Sequence, residues 1–134
     1  MGLLGHFRMP AELEVVLIVE DDAAVRAALK FALEVEGFRV RLYDGPQAVL
    51  ADASLPRRGC FVIDYRMPGI DGIELVDRLR ARQVELPAIL ISGRVNEHLR
   101  DRAKRSGISR VLEKPLSDEA LAETIRSVLG LRAP

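Results

Sequence analysis

The stretch LIVEDD, residues 17–22, sets three apolar side chains directly against three consecutive carboxylates. Residues 13–19 form a largely apolar run of strand length, rich in β-branched side chains, that stops at Glu20. Such a run reads as a strand buried on both faces. Past Asp22 the period changes. Val25, Leu29 and Leu33 recur every four residues with Ala28 and Ala32 beside them, which predicts an amphipathic helix ended by Gly37. The three carboxylates therefore sit where a buried strand gives way to a helix. Packed this closely they repel one another and each tends to hold its proton, so the fold has to bring a counter-charge to them.

The rest of the chain repeats the alternation. Residues 38–43 alternate with Arg39 and Arg41 on a wetter side, as a strand does, and Asp44, Gly45 and Pro46 mark a helix start, with Asp44 as its cap and a short helix continuing over 48–53. Residues 60–63 read as a second buried strand ending in Asp64. Then come a Pro- and Gly-containing loop, a helix over 73–81, and a strand over 87–91 ending in Ser92. A charged helix over 95–106, closed by Gly107, leads to a short strand over 110–112 ending near Lys114, and Ser117 caps a last helix carrying Leu121, Ile125, Val128 and Leu129. Five strands alternating with five helices predict an α/β, doubly wound, five-stranded parallel sheet with helices on both faces, because each parallel connection needs a crossover.

In open sheets of this kind ligands sit beyond the carboxyl ends of the strands. The residues collected there are Glu20 and Asp21, Asp64, Ser92 and Lys114. A hard divalent cation with oxygen ligands relieves three neighbouring carboxylates, and Mg²⁺ (or Mn²⁺) suits a site with few direct carboxylates. The Lys114 ammonium supplies a second counter-charge.

Composition excludes several alternatives. The 134 residues are about half apolar, enough for one buried core, and 20 basic residues balance 20 acidic ones, so no global field draws nucleic acid. The single cysteine, Cys60, forms no internal disulfide and reads as core packing. No apolar run reaches the length of a membrane span, and residues 1–9 lack the layout of a signal peptide, so a cytoplasmic setting is expected. Residues 1–12 read as a flexible leader, with Met9 an alternative start, and 13–131 as one domain with no output domain after it.

Four motifs, VEDD at 19–22, DYRMPGIDG at 64–72, ISG at 91–93 and EKP at 113–115, occur in order and at compatible separations. Together they resemble the receiver domain of two-component response regulators, of the stand-alone type. The resemblance implies a flavodoxin-like strand order 2-1-3-4-5. It also implies that Asp64 accepts a phosphoryl group from a phosphohistidine on a sensor histidine kinase or phosphotransfer protein. Glu20, Asp21, Asp64 and the main-chain carbonyl of Arg66 would hold Mg²⁺, while Lys114 and Ser92 would contact phosphoryl oxygens. Asp22 would cap the first helix, Lys114–Pro115 would be cis, Asp71 would cap the third helix, and Gly72 would permit a tight turn. By the same resemblance, Arg66 and Arg94 would occupy positions that in this family tune access of water to the phosphoryl group. Membrane and direct nucleic-acid contacts are not expected, and phosphorylation would change protein–protein contacts, pairing with a second copy among them.

One departure stands out. Many receivers carry Tyr or Phe in the fifth strand where this chain has Val111, so the switch would lean on Ser92, the loop 93–96 and the fourth helix. The cations of that region, Arg94, Arg100, Arg102, Lys104, Arg105 and Arg110, read either as a solvated face or as a docking surface for an acidic partner. His6 and His98 have no neighbouring ligand set. Two other readings share the motifs: a phosphorelay shuttle or phosphate sink, which the missing aromatic favours, and the receiver part of a larger transcriptional regulator. A phosphatase with an aspartate nucleophile needs a second Asp two residues on, where Arg66 stands.

Overall fold

The computed structural model describes residues 14–131; the leader expected at 1–12 and the first residue of the predicted strand lie outside the described residues. In chain order the elements are β1 (Val15–Val19), α1 (Ala23–Val35), β2 (Arg39–Tyr43), α2 (Pro46–Leu50) and β3 (Gly59–Asp64). After them come α3 (Gly72–Ala81), β4 (Ala88–Ser92), α4 (Glu97–Arg105), β5 (Arg110–Glu113) and α5 (Asp118–Leu129). The five strands form one parallel sheet in the order β2-β1-β3-β4-β5, as the alternation and the resemblance predict.

Side chains alternate across each strand, so the sheet divides the core. Leu17, Val19, Phe61, Ile63 and Leu90 pack on one face with Val49, Leu75, Leu79 and Leu99 from α2, α3 and α4. Val16, Ile18, Val62, Ile89 and Ile91 pack on the other with Leu33 of α1 and Leu121 and Ile125 of α5. Each such side chain contributes about 1.5–3 kcal/mol on burial, and a one-residue slip would send each of them to the wrong face. Register is thereby specified.

That register levels the strand ends. Val19 lies opposite both Tyr43 and Ile63, Asp64 opposite Ile91, and Ser92 opposite Glu113. The hydrogen-bond ladder runs one residue further: the Glu20 N–H donates to the Tyr43 carbonyl at 3.1 Å, Tyr65 N–H to Ile91 and Lys114 N–H to Ser92, both at 2.8 Å.

Helix starts follow the caps. The Asp22 carboxylate accepts from the N–H groups of Ala24 and Val25, that of Asp71 from Glu74, and the Ser117 hydroxyl from Ala120. Two starts differ from the reading above. The cap of α2 is Gly45, with no side-chain hydrogen bond, so Asp44 does not serve there; Pro46, whose fixed φ suits a first turn, opens the helix, which ends at Leu50 rather than 53. In α4 the side chain of Asn96 accepts from Leu99 N–H at 2.8 Å and sets the start at Glu97 rather than 95. Gly72 also plays another part. Its φ is not positive, so no turn requires it, but a Cβ there would lie 2.8 Å from the Asp64 carbonyl oxygen and 2.8 Å from Leu90 Cδ1. Its smallness lets α3 begin directly beneath the end of β3.

Among the described residues no helix is long and apolar enough to cross a membrane. At the edge strand, the Tyr43 hydroxyl donates to Asp52 Oδ2 at 2.6 Å, Ser54 N–H donates to Oδ1 at 2.7 Å, and Arg41 lies 3.3 Å from the same carboxylate. The Tyr43 hydroxyl first, then Ser54 N–H and Arg41, hold the Asp52 carboxyl below the usual carboxylate range.

Two outcomes are expected. Gly72→Ala destabilises the chain by about 1–3 kcal/mol, through a clash that backbone has to relieve; denaturant unfolding measures it. Because the Asp52 pKa falls on folding, its contribution is present at neutral pH and is lost as the pH drops below about 4. The stability gap between the native chain and Asp52→Asn therefore narrows across that range in acid-unfolding curves.

Candidate functional site

The levelled strand ends place Glu20, Asp21 and Asp64 so that one carboxylate oxygen of each lies within 4.8 Å of the others. They are the one such group of metal-ligating side chains among the described residues. Glu20 is buried, at 4% exposure, Asp64 half-buried and Asp21 exposed. Lys114 Nζ is 3.1 Å from Asp64 Oδ1 and reaches it across the sheet from the loop after β5, where the Lys114–Pro115 peptide is cis. Burial pushes the Glu20 carboxyl above its ordinary range; the Asp22 N–H, donating to Glu20 Oε2 at 3.0 Å, opposes this, the Asp64 charge adds to it, Lys114 opposes it and Asp21 adds to it. A buried carboxyl beside two others is a poor place for three full charges and a good one for a hard cation with oxygen ligands.

Ser92 ends the neighbouring strand and is buried, at 4% exposure. Its hydroxyl donates to the Arg94 carbonyl at 2.9 Å and accepts from Arg94 N–H at 3.3 Å. Asp22 stands outside the carboxylate cluster and caps α1. A cation that the sequence assigns only to a polar face of the first helix backs the loop: Arg26, one turn into α1, donates from Nη1 to the Glu20 carbonyl at 2.8 Å and to the Asp21 carbonyl at 3.4 Å. Its place four residues after the cap was the available signal.

Arg66 and Arg94 are both exposed. The Arg66 guanidinium lies 5.8 Å from the centre of the Tyr65 ring, a cation–π contact. From the other side, Arg102 of α4 donates from Nη1 to the Tyr65 hydroxyl at 3.0 Å, and its Nη2 is 3.5 Å from Asp71 Oδ2. Arg110 donates to the Ser127 hydroxyl at 3.0 Å. The basic run of the α4 region is thus not uniformly free, since two of its arginines hold internal partners. Val111 is half-buried in β5 and His98 is exposed. Burial, with a smaller push from Glu14, raises the Cys60 thiol to about 12, in keeping with a packing role.

A cavity of about 300 Å³ opens beside Asp64 and Lys114, walled by Ile18, Val25, Leu29, Ile91 and Leu116 between α1 and the start of α5. A larger hollow of about 540 Å³ lies at the opposite ends of the strands, beside Glu14, Arg58 and Pro87, away from the carboxylate cluster.

Known proteins resemble this chain in sequence and fold. The model of the response regulator receiver domain matches residues 16–126. The chain is 39% identical over 119 residues to the transcriptional regulatory protein FixJ of Bradyrhizobium diazoefficiens, covering 89% of this chain and 58% of that protein. It is 37% identical over 117 residues to the C4-dicarboxylate transport transcriptional regulatory protein DctD of Pseudomonas aeruginosa, covering 87% of this chain and 25% of that protein. The chain thus spans less than two thirds of the length of these relatives. Among solved structures, FixJ-N superposes with a TM-score of 0.81 at 32% identity, covering 90% of this chain and 97% of that one. The chemotaxis protein CheY4 of Vibrio cholerae gives 0.81 at 25% identity, covering 87% and 99%. A family match over nearly the whole described fold, with the motif residues gathered on one edge of the sheet, shows that the chain belongs to the response regulator receiver domains of two-component systems.

Proposed function

We propose that this receiver takes a phosphoryl group on Asp64 from the phosphohistidine of a sensor histidine kinase or phosphotransfer protein. The observation that carries this reading is the ammonium of Lys114 at 3.1 Å from Asp64 within a three-carboxylate cluster at the carboxyl edge of the sheet. An Asp64 carboxylate oxygen attacks phosphorus; the P–N bond breaks and its electron pair leaves with the imidazole nitrogen. Little covalent work falls to the protein, and positioning and charge stabilisation carry the rate.

Mg²⁺ (or Mn²⁺) fits the donor set, with Glu20, Asp21, Asp64 and the Arg66 main-chain carbonyl as its holders, and when bound it supplies charge neutralisation at the phosphoryl oxygens. Lys114 pairs with one phosphoryl oxygen. Ser92 donates its hydroxyl to another. Arg26 fixes the loop that presents Glu20 and Asp21. The apolar cavity beside Asp64 receives the donor's side chains around the phosphohistidine. Arg66 and Arg94, both exposed in the loops that follow β3 and β4, govern how readily water reaches the acyl phosphate.

The matched relatives are named as transcriptional regulatory proteins. That favours a readout in which phosphorylation alters the contacts of a transcriptional regulator over a shuttle or sink between relay proteins.

Incubation with acetyl phosphate and Mg²⁺ followed by intact-mass measurement tests the chemistry: the native chain gains one phosphoryl group, Asp64→Asn gains none, and chelation of the metal abolishes the gain. Lys114→Ala slows incorporation by about a hundredfold, the scale of losing one charge-stabilising donor. Incorporation persisting in Asp64→Asn would overturn the assignment. Decay of the isolated phosphoprotein changes on Arg66→Ala or Arg94→Ala; equal rates for all three proteins would remove both arginines from the account.

A further inference from the structure

We propose that Tyr65 and Arg102 are positioning residues, forming a latch that holds α4 against the acceptor loop and so sets how readily Asp64 takes a phosphoryl group. The proposal rests on Asp64 being the acceptor. Tyr65 follows Asp64 directly, and its backbone is pinned on both sides: its N–H donates to the Ile91 carbonyl and its carbonyl accepts from Gly72 N–H, each at 2.8 Å. The main chain carrying the ring therefore moves with the end of β3. The ring's hydroxyl accepts from Arg102 Nη1 at 3.0 Å, a contact spanning 37 residues of sequence. Arg102 Nη2 also approaches Asp71 Oδ2 at 3.5 Å, while Asp71 Oδ1 caps α3 through Glu74 N–H at 2.8 Å. One side chain of α4 thus grips both ends of the loop between β3 and α3.

The loop into α4 has a second anchor. Ser92 gives its one hydroxyl hydrogen to the Arg94 carbonyl at 2.9 Å. To donate to a phosphoryl oxygen on Asp64 the hydroxyl must turn away, leaving that carbonyl without this donor and loosening residues 93–96. The side-chain hydrogen bond from α4 to the acceptor loop is then that of Arg102, and it resists any displacement of the helix. In β5 Val111 provides no ring to stabilise a displaced loop, so the aromatic group coupled to the acceptor is Tyr65. A ligand shifts such an equilibrium only through its differential affinity for the two arrangements, and by linkage weakening the latch raises affinity for the ligand that opens it.

The test uses beryllium fluoride with Mg²⁺, an unreactive stand-in for the phosphoryl group, on the full chain. Tyr65→Phe keeps the ring and removes one acceptor, and Arg102→Ala removes the donor. Each is expected to bind beryllium fluoride about threefold to tenfold more tightly than the native chain, the range of one lost hydrogen bond. The double variant gains no more than the stronger single one, Arg102→Lys returns towards native affinity, and Arg100→Ala, which removes an exposed charge from the same helix, changes nothing. Thermal unfolding of each variant is measured alongside. Unchanged or weaker binding in folded Tyr65→Phe and Arg102→Ala overturns the latch, as does an equal gain in Arg100→Ala, which would assign the effect to net charge. A native chain that neither binds beryllium fluoride nor incorporates phosphoryl from acetyl phosphate removes the acceptor reading itself, and the latch with it.

Discussion

The structure depends on parallel strands locked in one register. Because β1, β3 and β4 are buried on both faces, slippage by a residue would exchange the two halves of the core and spoil the close packing of each against its own helices. The same register forces Glu20, Asp21 and Asp64 onto one rim, against their mutual repulsion. Packing thus holds carboxylates where electrostatics alone would separate them, and Glu20, raised first by burial and then by the Asp64 charge, shows the cost of that position. Lys114 relieves part of it. The remainder is what suits the rim to a hard cation.

How much of this was legible in the sequence depended on what kind of signal each part left. The sheet was legible because 13–19, 60–63 and 87–91 are largely apolar runs ending at polar residues, and period and length suffice to identify buried strands. The site was legible because its members are strand-end residues, whose convergence follows from topology once the strands are known. Caps with a hydrogen-bonding side chain at the right spacing, Asp22, Asp71 and Ser117, were also readable. Asp44 misled because Pro46 determines its helix start by fixing φ, with no need of a side-chain acceptor.

The contacts of Arg26 and Arg102 left less trace. An arginine in a helix pattern reads as solvated, and nothing local says that a guanidinium turns back to a carbonyl or reaches a tyrosine 37 residues away. Gly72 was identified but for the wrong reason: its role is fixed by Leu90 and the Asp64 carbonyl, neighbours that only the folded chain supplies. Long-range contacts of flexible cations, and the space a glycine leaves empty, are properties of packing that one-dimensional patterns do not carry.

The division of the core by the sheet has a consequence for how separate events share one small molecule. The cavity beside Asp64 opens between α1 side chains and the loop 114–116 that leads into α5, while Tyr65 and Arg102 meet on the side of α3 and α4. Between them stands a partition of hydrogen-bonded backbone, so an event at the cavity and a shift of α4 would engage different sets of buried side chains. On the proposed function, each flank is free to diversify, one towards the choice of donor and the other towards the choice of listener, without dismantling its opposite number.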